Sequence, residues 1–194
     1  MDARQVRTRA RLYAAVLAAA RDTPVADLSV TSLARAAGVH RSTFYEHAAS
    51  PGDLLRQALL ADLDALRADL LSAPEADTDE AVTEATRRVL EHVREHAPIY
   101  RRGLGPDSGP GGLDGMLGDH FLESSRQLLR AGRLHLPLDV EGLPDDVVSD
   151  IAARYVARAT VGVIQGWLDL PGEPDVAVFQ TLYAALLPAW WVQQ

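Results

Sequence analysis

Two short polar clusters in this chain hold residue types able to do chemistry: "HRSTFYEH" at 40–47 and "HVREH" at 92–96. The second has the form H-x-x-E-H. Two histidines one helical turn apart can share a zinc ion, with Glu95 placed as a base, as in inverted zinc peptidases. Nothing in the sequence identifies a third carboxylate ligand, a nucleophilic triad or a phosphate-binding loop to go with it. The expectation is a protein with no catalytic residue, no resident metal and no cofactor. Metal sensing through His92 and His96 is the alternative, and a zinc-dependent hydrolase using His92, Glu95 and His96 a further one. The first cluster offers different chemistry. Arg41, Ser42, Thr43, Tyr45, Glu46 and His47 put hydrogen-bonding side chains on one short segment, which is what reading a DNA major groove requires. The same residues also suit the solvated face of a plain helical hairpin.

The elements that must position these clusters are helices. Val6, Ala10, Tyr13, Ala14 and Leu17 recur at three-and-four spacing and predict an amphipathic helix over 4–21. "DTPVADLS" breaks it at Pro24. A short helix over 31–37 ends at Gly38, the residue that enters the left-handed region without steric cost. A second short helix over 41–47 follows. Ala34, four residues before the glycine, is small enough for that second helix to cross close by, while Leu33, Val39 and Phe44 hold the pair against the first helix. Ser50, Pro51 and Asp53 form a strong start signal for a helix to about Leu71. Further helices are expected over 79–96, 114–131, 145–168 and 174–191, with a break or kink at Pro98 and a glycine-rich loop at 103–115. The chain reads as all-α with about nine helices. Its expected division is a helix-turn-helix domain over 1–50 and a larger helical domain over 51–194.

Charge is distributed unevenly between these parts. Residues 1–56 carry eight arginines against five acidic residues, a net of +3, within a chain of net charge -8. A basic head on an acidic body implies that only the head meets a polyanion. Hydrophobic residues make up 47% of the chain, enough for a packed core, and there is no cysteine. No run approaches the roughly 18 apolar residues of a membrane span, and the N-terminus lacks a signal peptide's apolar stretch. A soluble, cytoplasmic protein is the expectation.

The stretch "SVTSLARAAGVHRSTFYEHAASPGDLLRQAL", residues 29–59, resembles the DNA-binding domain of the TetR family of bacterial transcriptional regulators. Leu-Ala, then Gly-Val, then Thr-Phe-Tyr-x-His, a short turn and Asp-Leu-Leu carry the likeness, which extends over about residues 4–60. The resemblance implies a three-helix DNA-binding head on a helical body that dimerises and binds a small ligand. It places Arg41, Ser42 and Thr43 against bases, with Arg41 suited to a bidentate contact with guanine. Tyr45, His47 and Thr31 fall at positions that bind backbone phosphates. Glu46 is expected to stay in water. Two positions depart from the pattern: Ala48 stands where an aromatic residue is common, and Gly52 where a lysine is. Free amides at the start of the following helix, or the basic arm of Arg4, Arg7, Arg9 and Arg11, would replace the missing backbone contact.

For the body, the last two helices are apolar on more than one side, as burial against both the protomer's own core and a partner would require. Tyr155, Val163, Phe179, Leu182, Leu186 and Trp190 are the candidate dimer contacts. His92, His96, Tyr100, Met116, His120 and Phe121 are the candidates to line a ligand cavity. Together these features lead to the expectation of a repressor that binds a palindromic operator as a homodimer. A small-molecule effector would release it by binding better to a state whose heads do not fit the DNA.

Overall fold

The computed structural model describes residues 3–74, 78–105, 112–134, 136–188 and 190. Among them there are nine α-helices and no strand: α1 (Ala3–Asp22), α2 (Val30–Ala36), α3 (Arg41–His47), α4 (Pro51–Ser72), α5 (Thr78–Glu95), α6 (Ala97–Gly103), α7 (Leu113–Arg130), α8 (Asp145–Leu168) and α9 (Val176–Leu186). Two compact units emerge, Met1–Asp62 and Leu63–Gln194. The division falls within α4 rather than at the start of that helix. No helix among the described residues is long and apolar enough to cross a membrane.

In the first unit α1 packs on α2, and α2 on α3. Its core is built from Leu12, Val16, Leu33, Phe44, Leu54 and Leu59, all essentially inaccessible to water. The stripe of α1 that turns inward is Thr8, Leu12, Val16 and Ala20, not the expected one, whose Val6, Ala10 and Ala14 are exposed. Tyr13 and Leu17 of the expected stripe are half-buried; both stripes have helical spacing, and packing on α2 sets the phase. The start of α4 forms as its sequence predicts. Ser50 Oγ accepts from the Asp53 amide at 3.1 Å and Asp53 Oδ2 from the Ala49 amide at 2.9 Å, a variant of the capping box whose return bond reaches the residue before the cap.

In the second unit α7 lies along α8, and α8 also contacts α6 and α9. Trp167 anchors the far end of α8. Its ring meets Phe179 edge-on at 5.3 Å, and its Nε1 donates to the Asp175 carbonyl at 2.9 Å. The expected break near His96 is present, with α5 ending at Glu95 and His96 at φ -104° and ψ 20°. Pro98 occupies the first turn of α6, where its missing amide costs nothing. The close of α6 leaves no room for a side chain at Gly103, since an added Cβ would lie 2.4 Å from the buried Leu113 at the start of α7. The last helix is shorter than expected. α9 stops at Leu186 because Pro188 forces Leu187 into extended backbone, φ -66° and ψ 138°. Of the glycine-rich loop, residues 106–111 lie outside the described residues, as do Ala189 and Trp191.

Candidate functional site

The turn between α2 and α3 is made by backbone hydrogen bonds. The Val39 amide donates to the Ala34 carbonyl at 2.9 Å and the Gly38 amide to Arg35 at 3.1 Å, with Gly38 at φ +65°. That left-handed backbone, rather than crowding, is what calls for glycine here, since an added Cβ would meet only the end of Arg11 at 3.5 Å. Ser29 caps α2 by accepting from the Ser32 amide at 3.1 Å. Ala34 is buried where the two helices approach, as its size requires.

One side chain of α3, Phe44, faces the core, and it is completely buried. Arg41, Ser42, Tyr45 and Glu46 are exposed, Thr43 and His47 half-buried, and Thr31 is exposed at the start of α2. Every side chain proposed to meet DNA is therefore reachable from solvent. With its side chains a helix is about 10–12 Å across, which a major groove about 12 Å wide accommodates. The start of α4 is less suited to a phosphate than expected. Its cap amides at Ala49 and Asp53 are already bonded, and the Asp53 carboxylate sits beside them. Arg4, Arg7 and Arg11 are exposed on α1, and the Arg9 guanidinium lies 6.0 Å from the Tyr13 ring centre.

The second unit holds a partly open cavity of about 510 Å³ between the end of α4 and helices α5, α7, α8 and α9. That size is ordinary for a small-molecule site. Leu66, Val89, Leu134, Ile164 and Phe179 contribute apolar wall, and His120, Ser124, Ser125, Thr160 and Tyr183 add polar points. Of the residues singled out from sequence, His120 and Phe121 line this space. His92, His96, Tyr100 and Met116 are buried without lining it. The Thr160–Tyr183 pair, not anticipated from the sequence, joins α8 to α9 through a 2.8 Å hydrogen bond. Threonine and tyrosine on separate helices 23 residues apart give no local pattern to find.

The histidines form a buried neighbourhood of their own. His92 Nε2 lies 3.0 Å from the Tyr100 hydroxyl, and the His92 and His96 rings meet edge-on at 4.8 Å. Glu95 is exposed while both histidines are buried, so the base required by an H-x-x-E-H peptidase is not brought to the pair. Burial, with His96 and His120 nearby, pushes the His92 pKa down to about 3. Burial and the Arg67 guanidinium lower His120 to about 4, against the opposing pull of Asp64, whose carboxylate is 3.2 Å from Nδ1. Both rings are neutral at pH 7.

A third feature is the apolar surface on α8 and α9. Val147, Ile151 and Tyr155 on α8 and Val178, Leu182 and Leu186 on α9 are all exposed. Trp190 is half-buried, its ring centre 6.3 Å from that of Tyr155. Val163 is half-buried as well. Phe179 does not belong with the candidate dimer contacts. It is 1% exposed, stacked on Tyr183 at 5.3 Å, and spent on its own core.

No family model and no curated protein matches the chain. Solved structures do. The chain is similar to the dihydroxyacetone kinase operon activator DhaS, with TM-score 0.61 and 14% identity over 92% of this chain and 94% of that one. It is similar to a TetR-family transcriptional regulator from Streptomyces coelicolor, with TM-score 0.60 and 21% identity over 95% and 80% of the two chains. The fatty acid degradation regulator FadR from Bacillus halodurans gives TM-score 0.60 and 16% identity over 92% and 97%. The chain thus has the fold of these regulators.

Proposed function

We propose that the protein is a ligand-responsive transcriptional regulator of the TetR type, a cytoplasmic homodimer that represses from a palindromic operator and is released by a small-molecule effector. The observation that carries this reading is α3. It is a short helix whose one buried side chain is Phe44, with Arg41, Ser42 and Tyr45 outward, in the basic part of an otherwise acidic chain. The fold shared with DhaS, FadR and the Streptomyces regulator supports it, as does an apolar cavity in the other unit. Sequence is read by Arg41, Ser42 and Thr43, and register is set by phosphate contacts from Thr31, Tyr45 and His47. One seven-residue helix reads too few bases to be selective, so a pair related by two-fold symmetry is needed. The exposed apolar faces of α8 and α9 supply its interface, with Tyr155, Val163, Leu182, Leu186 and Trp190 among the contacts. Effector binding shifts the population toward a state that does not fit the operator, by differential affinity for the two states.

The test is selection of bound duplexes from fragmented genomic DNA at low and raised salt. Enrichment of one palindrome that survives the salt is the expected outcome, and binding that fades alike for all sequences would refute the reading. On the selected operator, Arg41→Ala is expected to relax the preference at one base pair of each half-site by about 1–3 kcal/mol. Competition with single-base variants measures it, and an unchanged preference at every position would remove Arg41 from base readout.

Dimerisation has its own check. Leu186 is 62% exposed, so truncating it leaves the protomer's fold intact. Leu186→Ala is expected to remove about 1 kcal/mol of burial from each copy, and so to weaken the dimer roughly 30-fold. Sedimentation velocity across a dilution series reads this shift. An unchanged dissociation constant would place the interface elsewhere.

A further inference from the structure

The cavity's polar atoms have an unusual polarity of their own. Ser124 Oγ donates to the His120 carbonyl at 2.8 Å, Ser125 Oγ to Phe121 at 2.9 Å and Thr160 Oγ1 to Val156 at 2.8 Å. A hydroxyl has one proton to give. With Thr160's proton spent on its own helix, the 2.8 Å bond between Thr160 and Tyr183 must be donated by the tyrosine. The Tyr183 oxygen is then left with lone pairs and no free proton. Around Tyr183 and Thr160 the wall accepts hydrogen bonds and has little to donate; the donors Thr83 and Gln180, which also line the space, are exposed residues.

The charges around the cavity are already answered. Arg67 Nη2 pairs with Asp64 Oδ1 at 2.7 Å, and Arg133 donates to the carbonyls of Leu70 and Ala73 at the end of α4. Among the described residues no carboxylate lines the space, so none of them compensates a cationic ligand. A carboxylate ligand would have to take Arg67 from Asp64 or Arg133 from the helix end, and would face the lone pairs of Ser124 and Tyr183. Burial also raises the Tyr183 pKa, so its hydroxyl stays protonated.

We infer that the cavity takes an uncharged, mostly apolar ligand that ends in a hydrogen-bond donor, a phenol or an alcohol, and that the oxygens of Tyr183 and Thr160 receive that donor. The inference rests on reading the cavity as the effector site, and it adds the ligand's class and the residues that select it.

The experiment uses the full chain without DNA and measures binding by isothermal calorimetry to four compounds on one skeleton. These are para-octylphenol, its methyl ether, para-octylbenzoate and para-octylbenzylammonium. The phenol is expected to bind about tenfold more tightly than the ether, the worth of one hydrogen bond otherwise unmade. Neither ion should match it. An ether or an ion that binds as tightly as the phenol would overturn the inference, and so would the failure of all four to bind. Thr160→Val supplies an independent reading. It removes the acceptor for Tyr183's proton, freeing that O–H to donate into the cavity, so the ether should gain on the phenol until the two are about equal. Tyr183→Phe, which removes the accepting oxygen without changing ring volume, should also abolish the preference while apolar binding persists. A preference untouched by both variants would overturn the assignment to this pair. The outcomes also separate from those of the regulator reading. A phenol that binds yet never releases the operator would refute ligand-responsive release and leave this inference standing. A selected palindrome with no phenol binding would do the reverse.

Discussion

Phe44→Ala is expected to cost about 3–5 kcal/mol and to abolish operator binding, whereas Tyr45→Ala, one residue on, leaves stability within about 0.5 kcal/mol. The two rings touch edge-on at 5.6 Å, yet they face opposite environments. Phe44 is wholly buried and Tyr45 is 53% exposed. Phe44 is the one fully buried residue of α3, with Thr43 and His47 half-buried, so it is the helix's main anchor. Its truncation leaves a cavity beneath a two-turn element whose own helical stability is negligible at that length. Tyr45 makes no comparable packing contribution, and its loss should weaken DNA binding uniformly across sequences, as removal of a phosphate contact does. Urea unfolding followed by circular dichroism gives the first number, and fluorescence anisotropy on the selected operator gives the second. Phe44→Leu, which conserves most of the volume, should recover most of both. A Phe44→Ala protein with unchanged midpoint and operator affinity would mean that α3 is held by something other than its one apolar anchor.

That contrast also marks what the sequence made legible. Phe44 among polar neighbours, with Gly38 and Ala34 at fixed offsets before it, specifies turn, anchor and exposed face within fifteen residues. Local spacing suffices because the contacts are local. The start of α4 was equally readable, since a capping box is a four-residue device. The phase of α1 was not, because two stripes satisfy helical spacing and only packing against α2 chooses between them. Phe179 failed for a related reason. An aromatic residue on an apolar helix suits an interface and a core alike, and here the Trp167 and Tyr183 rings claim it. The cavity was the least legible feature. Its walls come from five helices, and side chains as plain as Leu66, Val89 and Ile164 carry no mark of facing a void. His92, Tyr100 and Met116 carry more chemical character and are buried away from its walls.

Those buried histidines nevertheless make the protein acid-labile. Lowering the pH from 7.5 to 5 is expected to reduce its stability by about 4 kcal/mol. His92 and His120 have folded-state pKa values depressed to about 3 and about 4 from an ordinary 6.5. Above pH 6.5 both rings are neutral in the folded and unfolded chain alike, and their contribution is fully present. Below it the unfolded chain takes up protons that the folded chain refuses, and each group removes about 1.4 kcal/mol per pH unit until its folded pKa is reached. At pH 5 this comes to about 2 kcal/mol for each. The window belongs to the histidines. The carboxylates held below their ordinary range by arginine partners, Glu84 and Asp150 beside Arg87 and Arg154, release their stabilisation only below about pH 4.5. His92 sits against His96 and Tyr100, and His120 against Asp64 and Arg67. Beside His120, Asp64 favours a charged ring, and at 52% exposed it is too well solvated to offset the burial of His120. Urea midpoints at the two pH values measure the effect. His120→Gln should remove about half of it, because glutamine cannot take up the proton. A slope that persists undiminished in His120→Gln, or stability that is flat from pH 7.5 to 5 in the parent protein, would mean that these rings are hydrated in solution and that the core around α5 and α7 opens to water.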